Sequence, residues 1–259
     1  VPYDASKNAG FKGIKPTAPS TKRPDPREAF SLNKLVDETA AETFPLSPGL
    51  DEHRKQILSF QKSLHSFASR LLELIAVALR LPPSTFTSQH PRSRPNFDNF
   101  ELMHYPPLSS VLSTEETVYR ISPHTDWGTI TLLFQQSVGG LEVRPPHYTS
   151  SELQPDEEWT SAPVYNDMVL INMGDMMEFW TAGRLKSTWH RVVPRQETRD
   201  TDRYCFAYFL HPDKHAVLEP IKELEKEGWV PRYAGKGRTA EQHIRARISG
   251  TVHGNFTTG

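Results

Sequence analysis

Cysteine is almost absent from this 259-residue chain, Cys205 being the only one. An intrachain disulfide is therefore excluded, and so is a zinc site built on several thiolates. A lone thiol fits a reducing compartment, and the cytoplasm is the expected location. Long apolar runs are missing too. The most apolar stretch, LLELIAVALRL, is shorter than a membrane span and carries Glu73 and Arg80. Charge of one sign is also lacking, with 30 Lys and Arg set against 31 Asp and Glu. That balance gives no electrostatic ground for a nucleic-acid or anionic-membrane partner. There is no internal repeat and no signal-peptide pattern. The chain begins with Val, and VPYDASKNAGFKG reads as the middle of a protein, so an N-terminal part is expected to be missing. Oligomeric state is not legible from the sequence.

What is present reads as a single domain over residues 1–259. Residues 1–50 form an irregular segment in this reading. The first 30 are rich in Pro, Lys, Gly and Ser, and REAFSLNKL offers a short strand or turn. A helix is expected within 51–83, because Ile57, Phe60, Leu64, Phe67, Leu71, Leu74 and Ala78 recur at steps of three and four. Pro82 and Pro83 would stop it. From 97 to 212 the pattern changes to short β-like runs: NFELMHY, YRISPHTD, TITLLFQ, LEVR, MVLINMG, STWHRVV and RYCFAYFL. About eight antiparallel strands of this kind suggest a sandwich or jelly roll. Gly174 and Asp175 read as a turn, and so do Gly139 and Gly140. Residues 213–259 form a C-terminal helical region, where RTAEQHIRARI has a basic face of the kind that is usually solvated.

The chemistry gathers around SPHTDWG. In an extended strand His124 and Asp126 project to one face and Thr125 to the other. An imidazole and a carboxylate so placed make either a hydrogen-bonded pair or two ligands of one metal ion. The H-x-D pattern alone is weak, since chance supplies roughly half an instance in such a chain. A second instance, His211 to Asp213, contains a proline, follows a strand and reads as a turn. His190 in STWHRVV strengthens the first. Two histidines and one carboxylate on rigid strands match the facial triad of non-haem Fe(II) sites, which leaves the opposite face open. By itself a histidine such as His190 is more often a core or surface residue than a ligand.

Arg203 opens RYCFAYFL, where Arg203, Cys205 and Ala207 would share one face. A guanidinium turned into a β core requires an anion and suits a carboxylate bidentately; a salt bridge to a protein acid is the alternative. Tyr105 in LMHYPP could donate to such a carboxylate or serve as a half-buried strand residue. His104 would face the other way. Trp127 either lines the open side of the metal or belongs to the core. Phe100, Phe134 and Trp180 read as packing residues.

LMHYPP, SPHTDWGTITLLFQQSVGGLEV, VLINMGDMMEFWTAGRLKSTWHRVV and RYCFAYFLHP, taken together in this order, resemble the 2-oxoglutarate-dependent Fe(II) oxygenases of the isopenicillin N synthase-like family. The resemblance runs from about residue 53 to 212 and is greatest to fungal small-molecule members. It implies a distorted double-stranded β-helix, mainly β, a jelly-roll core flanked by helices. It implies Fe(II) on His124, Asp126 and His190, and 2-oxoglutarate and O2 as cosubstrates. Arg203 falls on the arginine that pairs with the distal carboxylate of 2-oxoglutarate, and Tyr105 on a tyrosine that often hydrogen-bonds it. Cys205 replaces the usual serine of Arg-x-Ser and is a weaker donor. The implied reaction is oxidation of a small molecule in secondary metabolism, by hydroxylation, desaturation or ring formation. Two alternatives remain: an oxidase on this scaffold that does not use 2-oxoglutarate, and a non-catalytic jelly-roll binding module.

Overall fold

The computed structural model describes residues 2–4, 9–14, 26–34, 46–111, 119–144, 159–225, 227–230 and 237–252. The loop RPPHYTSSELQPDEE lies outside them except for its first residue, Arg144. Strands β1 (Gly10–Lys12), β2 (Glu28–Asn33), β3 (Asn99–Tyr105), β5 (Ile130–Gln135), β8 (Leu170–Met173) and β10 (Arg203–Leu210) form one sheet in the order β1-β2-β3-β10-β5-β8. Strands β4 (Ile121–His124), β6 (Leu141–Val143), β7 (Thr160–Ser161) and β9 (His190–Val192) form a second, in the order β4-β9-β6-β7. Every pairing between them is antiparallel. From β3 onward the chain steps back and forth between the two sheets, which winds it into the double-stranded β-helix of a jelly roll.

β2 is the strand that REAFSLNKL offered, whereas β1 departs from the expected irregular segment. β2 lies along β3, with Phe30 opposite Leu102, and β1 adds to its edge. β1 has three residues and little strand propensity of its own, so pairing rather than composition makes it.

Among the described residues five helices flank the sheets: α1 (Pro48–Asp51), α2 (Arg54–Ala78), α3 (Ser84–Thr87), α4 (Asp175–Trp180) and α5 (Ala240–Val252). None is long and apolar enough to cross a membrane. α2 braces the larger sheet, and Phe60 meets Phe100, Phe134 and Phe206 edge to face at 5.8–5.9 Å. The buried face of α2 is Leu58, Gln61, Leu64, His65, Ala68, Leu72 and Ala76. That is about one residue away from the expected stripe, and Phe67 and Leu74 are exposed. The shift has a polar cause. Gln61 donates to the Asn33 carbonyl at 3.1 Å, and His65 Nδ1 faces the buried Asp98 Oδ2 at 3.8 Å, beyond hydrogen-bond reach, so both polar side chains turn inward toward polar groups. Leu72 is fully buried here, and its truncation to Ala would cost about 2–5 kcal/mol.

α2 also ends before the prolines. Leu81 N–H donates to Ala76 O and Arg80 N–H to Val77 O, both at 2.9 Å, with Arg80 left-handed at φ 61°. This Schellman cap closes the helix, and Pro82 and Pro83 only prevent its resumption.

The larger sheet packs α2 on its outer face. Its inner face, bearing Ala29, Met103, Tyr105, Cys205 and Ala207, packs against Ile121 of the smaller sheet. The candidate site therefore lies on the inner side.

Candidate metal centre

His124 is the last residue of β4, and His190 is the first of β9. The two are direct cross-strand partners. Asp126 comes from the turn just after β4 rather than from the strand itself. Its Oδ1 lies 3.6 Å from His190 Nε2 and 3.9 Å from His124 Nε2. One ligand atom from each of the three residues lies within 4.8 Å of the others, and no other such cluster occurs among the described residues. These separations are too long for hydrogen bonds. The hydrogen-bonded His–Asp pair left open by the sequence is thus not formed.

The remaining polar atoms of the three side chains are already committed. Nδ1 of His124 donates to the Ser122 carbonyl at 2.9 Å, and Nδ1 of His190 to the Thr188 carbonyl at 3.0 Å. In each ring this leaves the Nε2 lone pair turned inward. Asp126 Oδ2 accepts from Thr131 Oγ1 at 2.6 Å and from Asn172 Nδ2 at 2.7 Å, which leaves Oδ1 facing the two imidazoles. Burial, reinforced by the neighbouring His190, pushes the His124 imidazole down to about 3. Burial opposes ionisation of Asp126, but the two histidines and the two hydrogen bonds outweigh it and hold the carboxyl below its ordinary value. Two imidazoles and one carboxylate are the donor set that suits a divalent first-row metal.

The turn carrying Asp126 is gripped by α4. Asp175 N–H donates to the Asp126 carbonyl at 2.8 Å, and Met176 N–H to the Gly128 carbonyl at 3.0 Å. Asp175 therefore begins a helix, which corrects the expected turn. Six residues are too few to display helical periodicity. The close approach explains Gly174, where a Cβ would sit 2.2 Å from Gly128 O.

Arg203, Tyr105 and Cys205 come together on the inner face. Arg203 and Tyr105 are cross-strand partners, and the guanidinium lies 4.7 Å from the centre of the Tyr105 ring. Arg203 is 1% exposed. It donates to Val138 O at 3.2 Å, Cys205 Sγ at 3.3 Å and Gln135 Oε1 at 3.0 Å. None of these partners is a carboxylate, so the salt bridge allowed by the sequence is not made. Burial, aided by Cys205, raises the Tyr105 phenol, which donates to Met103 Sδ at 3.5 Å. The phenol is therefore a neutral donor.

Known proteins resemble this chain in sequence and fold. Residues 96–212 match the model of the 2OG-Fe(II) oxygenase superfamily. A proline hydroxylase of Petromyces alliaceus is 35% identical over 231 residues, covering 86% of this chain and 68% of that protein. The chain belongs to the 2OG-Fe(II) oxygenase superfamily. A protein of Schizosaccharomyces pombe called UPF0676 protein C1494.01 is 35% identical over 208 residues, 80% of this oxygenase-family chain. The chain spans only 60% of that relative's length. Among solved structures, a full-length Neurospora crassa protein in complex with alpha-KG superposes with a TM-score of 0.73 at 25% identity, over 93% of this chain and 75% of that one. The jelly-roll fold expected from the sequence is the fold of these oxygenases.

Other residues fall into place around this family core. Trp127 is half-buried, and its side chain packs against the main core. His104 faces outward as expected, stacked on Tyr204 at 4.6 Å and bonded to Glu28 and Asp202. Of the second H-x-D, Asp213 accepts from His215 N–H at 2.8 Å in a turn. Phe100, Phe134 and Trp180 belong to the outer core. A groove of about 560 Å³ lined by Phe11, Phe30, Leu102, Tyr204 and Phe206 lies on the outer face of the larger sheet, away from the triad. Gln135, Thr131, Asn172 and Arg120 do not stand out in the sequence. Arg120, 2% exposed, donates to the carbonyls of Tyr105, Arg199 and Thr201 and ties the start of β4 to the loop before β10. Only strand register, which brings Gln135 opposite Cys205, could have signalled any of them.

Proposed function

We propose that the chain is the catalytic part of a non-haem Fe(II), 2-oxoglutarate-dependent oxygenase that oxidises a small organic molecule in secondary metabolism. The observation that carries this reading is the commitment of every other polar atom of the triad. With both Nδ1 atoms and Asp126 Oδ2 occupied, the two Nε2 atoms and Oδ1 are left to converge. His124, Asp126 and His190 would hold the iron as imidazole, carboxylate and imidazole.

Arg203 would hold the distal carboxylate of 2-oxoglutarate. Its buried guanidinium has neutral partners only, and a dianionic cosubstrate would supply the missing charge. Tyr105, kept protonated by burial, would donate to the same carboxylate, and Cys205 would pack beside it. When bound, iron with 2-oxoglutarate and O2 supplies the oxidising power, releasing succinate and CO2. The protein's own part is to fix this geometry and exclude water with the apolar inner face. A single buried thiol suits the reducing cytoplasm.

The test is an anaerobic visible spectrum of the protein with Fe(II), before and after 2-oxoglutarate. A charge-transfer band that appears with 2-oxoglutarate and is lost in His124→Ala is expected. Iron bound at the triad without such a band, and substrate oxidation without succinate, would replace this reading by an oxidase that does not use 2-oxoglutarate. Iron binding with no oxygen consumption under any condition would leave a binding module.

A further inference from the structure

The basic face of α5, expected to be solvated, is divided. Arg245 is exposed and pairs with Glu241 one turn earlier. Arg247 turns inward. Its Nη2 donates to the Thr125 carbonyl at 3.2 Å and approaches Thr125 Oγ1 at 3.3 Å. Thr125 is the fully buried residue between His124 and Asp126. The same guanidinium lies 5.5 Å from the centre of the Trp127 ring. Its Nε is 3.7 Å from Asp175 Oδ2, which His243 Nε2, also on α5, approaches to 3.4 Å. Asp175 is the residue whose N–H holds the Asp126 carbonyl.

One helix thus grips the segment His124–Trp127. It does so directly through Thr125 and Trp127, and indirectly through Asp175. Two ligands separated by a single residue take their relative orientation from that residue's backbone torsions. A shift of the Thr125 peptide would turn Asp126 Oδ1 away from the imidazoles, and productive site geometry tolerates only about 0.5 Å. A planar guanidinium can hold a carbonyl, a hydroxyl and a carboxylate at once and lie over an indole, which a lysine cannot do in the same way.

We propose that Arg247 is a positioning residue that locks the turn between the two metal-binding side chains at the end of β4, so that α5 is part of the iron site's construction. The proposal rests on the reading that His124, Asp126 and His190 hold Fe(II).

The experiment is an anaerobic Fe(II) titration of Arg247→Met, Arg247→Lys and Arg245→Met beside the wild-type protein and His124→Ala, with thermal midpoints recorded in parallel. Arg247→Met is expected to keep its midpoint within a few degrees and to bind Fe(II) about tenfold more weakly, the size of effect typical of outer-shell support. Arg247→Lys is expected to fall between it and the wild type, and Arg245→Met to match the wild type. Wild-type Fe(II) affinity in Arg247→Met would overturn the proposal, as would an equal loss in Arg245→Met. If Arg247→Met does not fold, the comparison of Arg247→Lys with Arg245→Met decides in the same way. Fe(II) binding by the wild type that His124→Ala leaves unchanged would instead remove the triad reading itself.

Discussion

Thr131 and Asp126 are joined by a 2.6 Å hydrogen bond that reaches from β5 to the turn after β4. With the Asn172 amide at 2.7 Å, it occupies Oδ2 and so decides which oxygen of Asp126 faces the histidines. Sheet and turn are thereby coupled at the one acidic member of the triad.

Thr131→Val keeps the shape of the side chain and removes this bond. Asp126 can then rotate about a single remaining donor, and Oδ2 loses part of its compensation for burial. Fe(II) affinity is expected to fall roughly tenfold to a hundredfold, as for other outer-shell partners of metal ligands. Asn172→Leu should act in the same direction, and the double variant should lose less than the product of the two, because both act on one carboxylate. Anaerobic Fe(II) titration of the three variants checks this. Wild-type affinity in both single variants would mean that the carboxylate is held by other means.

Arg203 raises a different expectation. Its guanidinium is buried on neutral partners, so an incoming carboxylate meets a charge that is already desolvated. Losing one partner of such a pair costs about 2–5 kcal/mol. Arg203→Met should therefore weaken 2-oxoglutarate binding at least thirtyfold, roughly 2 kcal/mol, while leaving Fe(II) affinity near that of the wild type. Cys205→Ser replaces a weak donor by a stronger one beside the same guanidinium, and should tighten 2-oxoglutarate modestly. Titrating the charge-transfer band with 2-oxoglutarate measures both. An unchanged requirement in Arg203→Met would place the cosubstrate's distal carboxylate elsewhere.

Much of this is legible in the residues, for physical reasons. β3 and β10 can be read at their observed limits because alternating side chains over seven or eight residues leave little freedom of assignment. The triad is legible because H-x-D fixes a spacing that strands and tight turns both honour. The face of α2 differs from its apolar stripe because Gln61 and His65 are polar, and they turn toward polar groups of Asn33 and Asp98, which are distant in sequence. β1, α4, Gln135 and Arg247 escape a sequence reading for the same reason. Each owes its place to a tertiary contact and not to local pattern.

Acid sensitivity of the fold gives the last expectation. His90 is 2% exposed, with Nδ1 on the Phe86 carbonyl at 2.6 Å and Nε2 on Thr129 Oγ1 at 2.8 Å. Burial holds its imidazole down to about 4, against an ordinary value of 6.5. The sign follows from proton counting. Below pH 6.5 the unfolded chain takes up a proton that the folded chain refuses, so folding stability falls as the pH drops from 6.5 towards about 4 and then levels off. At its full extent the loss is on the order of 3 kcal/mol. His90→Gln, which cannot charge, is expected to be less stable than the wild type at pH 7 by about 1–3 kcal/mol, through an imperfectly replaced buried hydrogen-bond pair. Its stability should then decline less steeply in acid, so that the two proteins converge. Urea midpoints across that interval, in metal-free buffer, measure both slopes. Parallel slopes would show that His90 gains its proton in the folded state as readily as in the unfolded one.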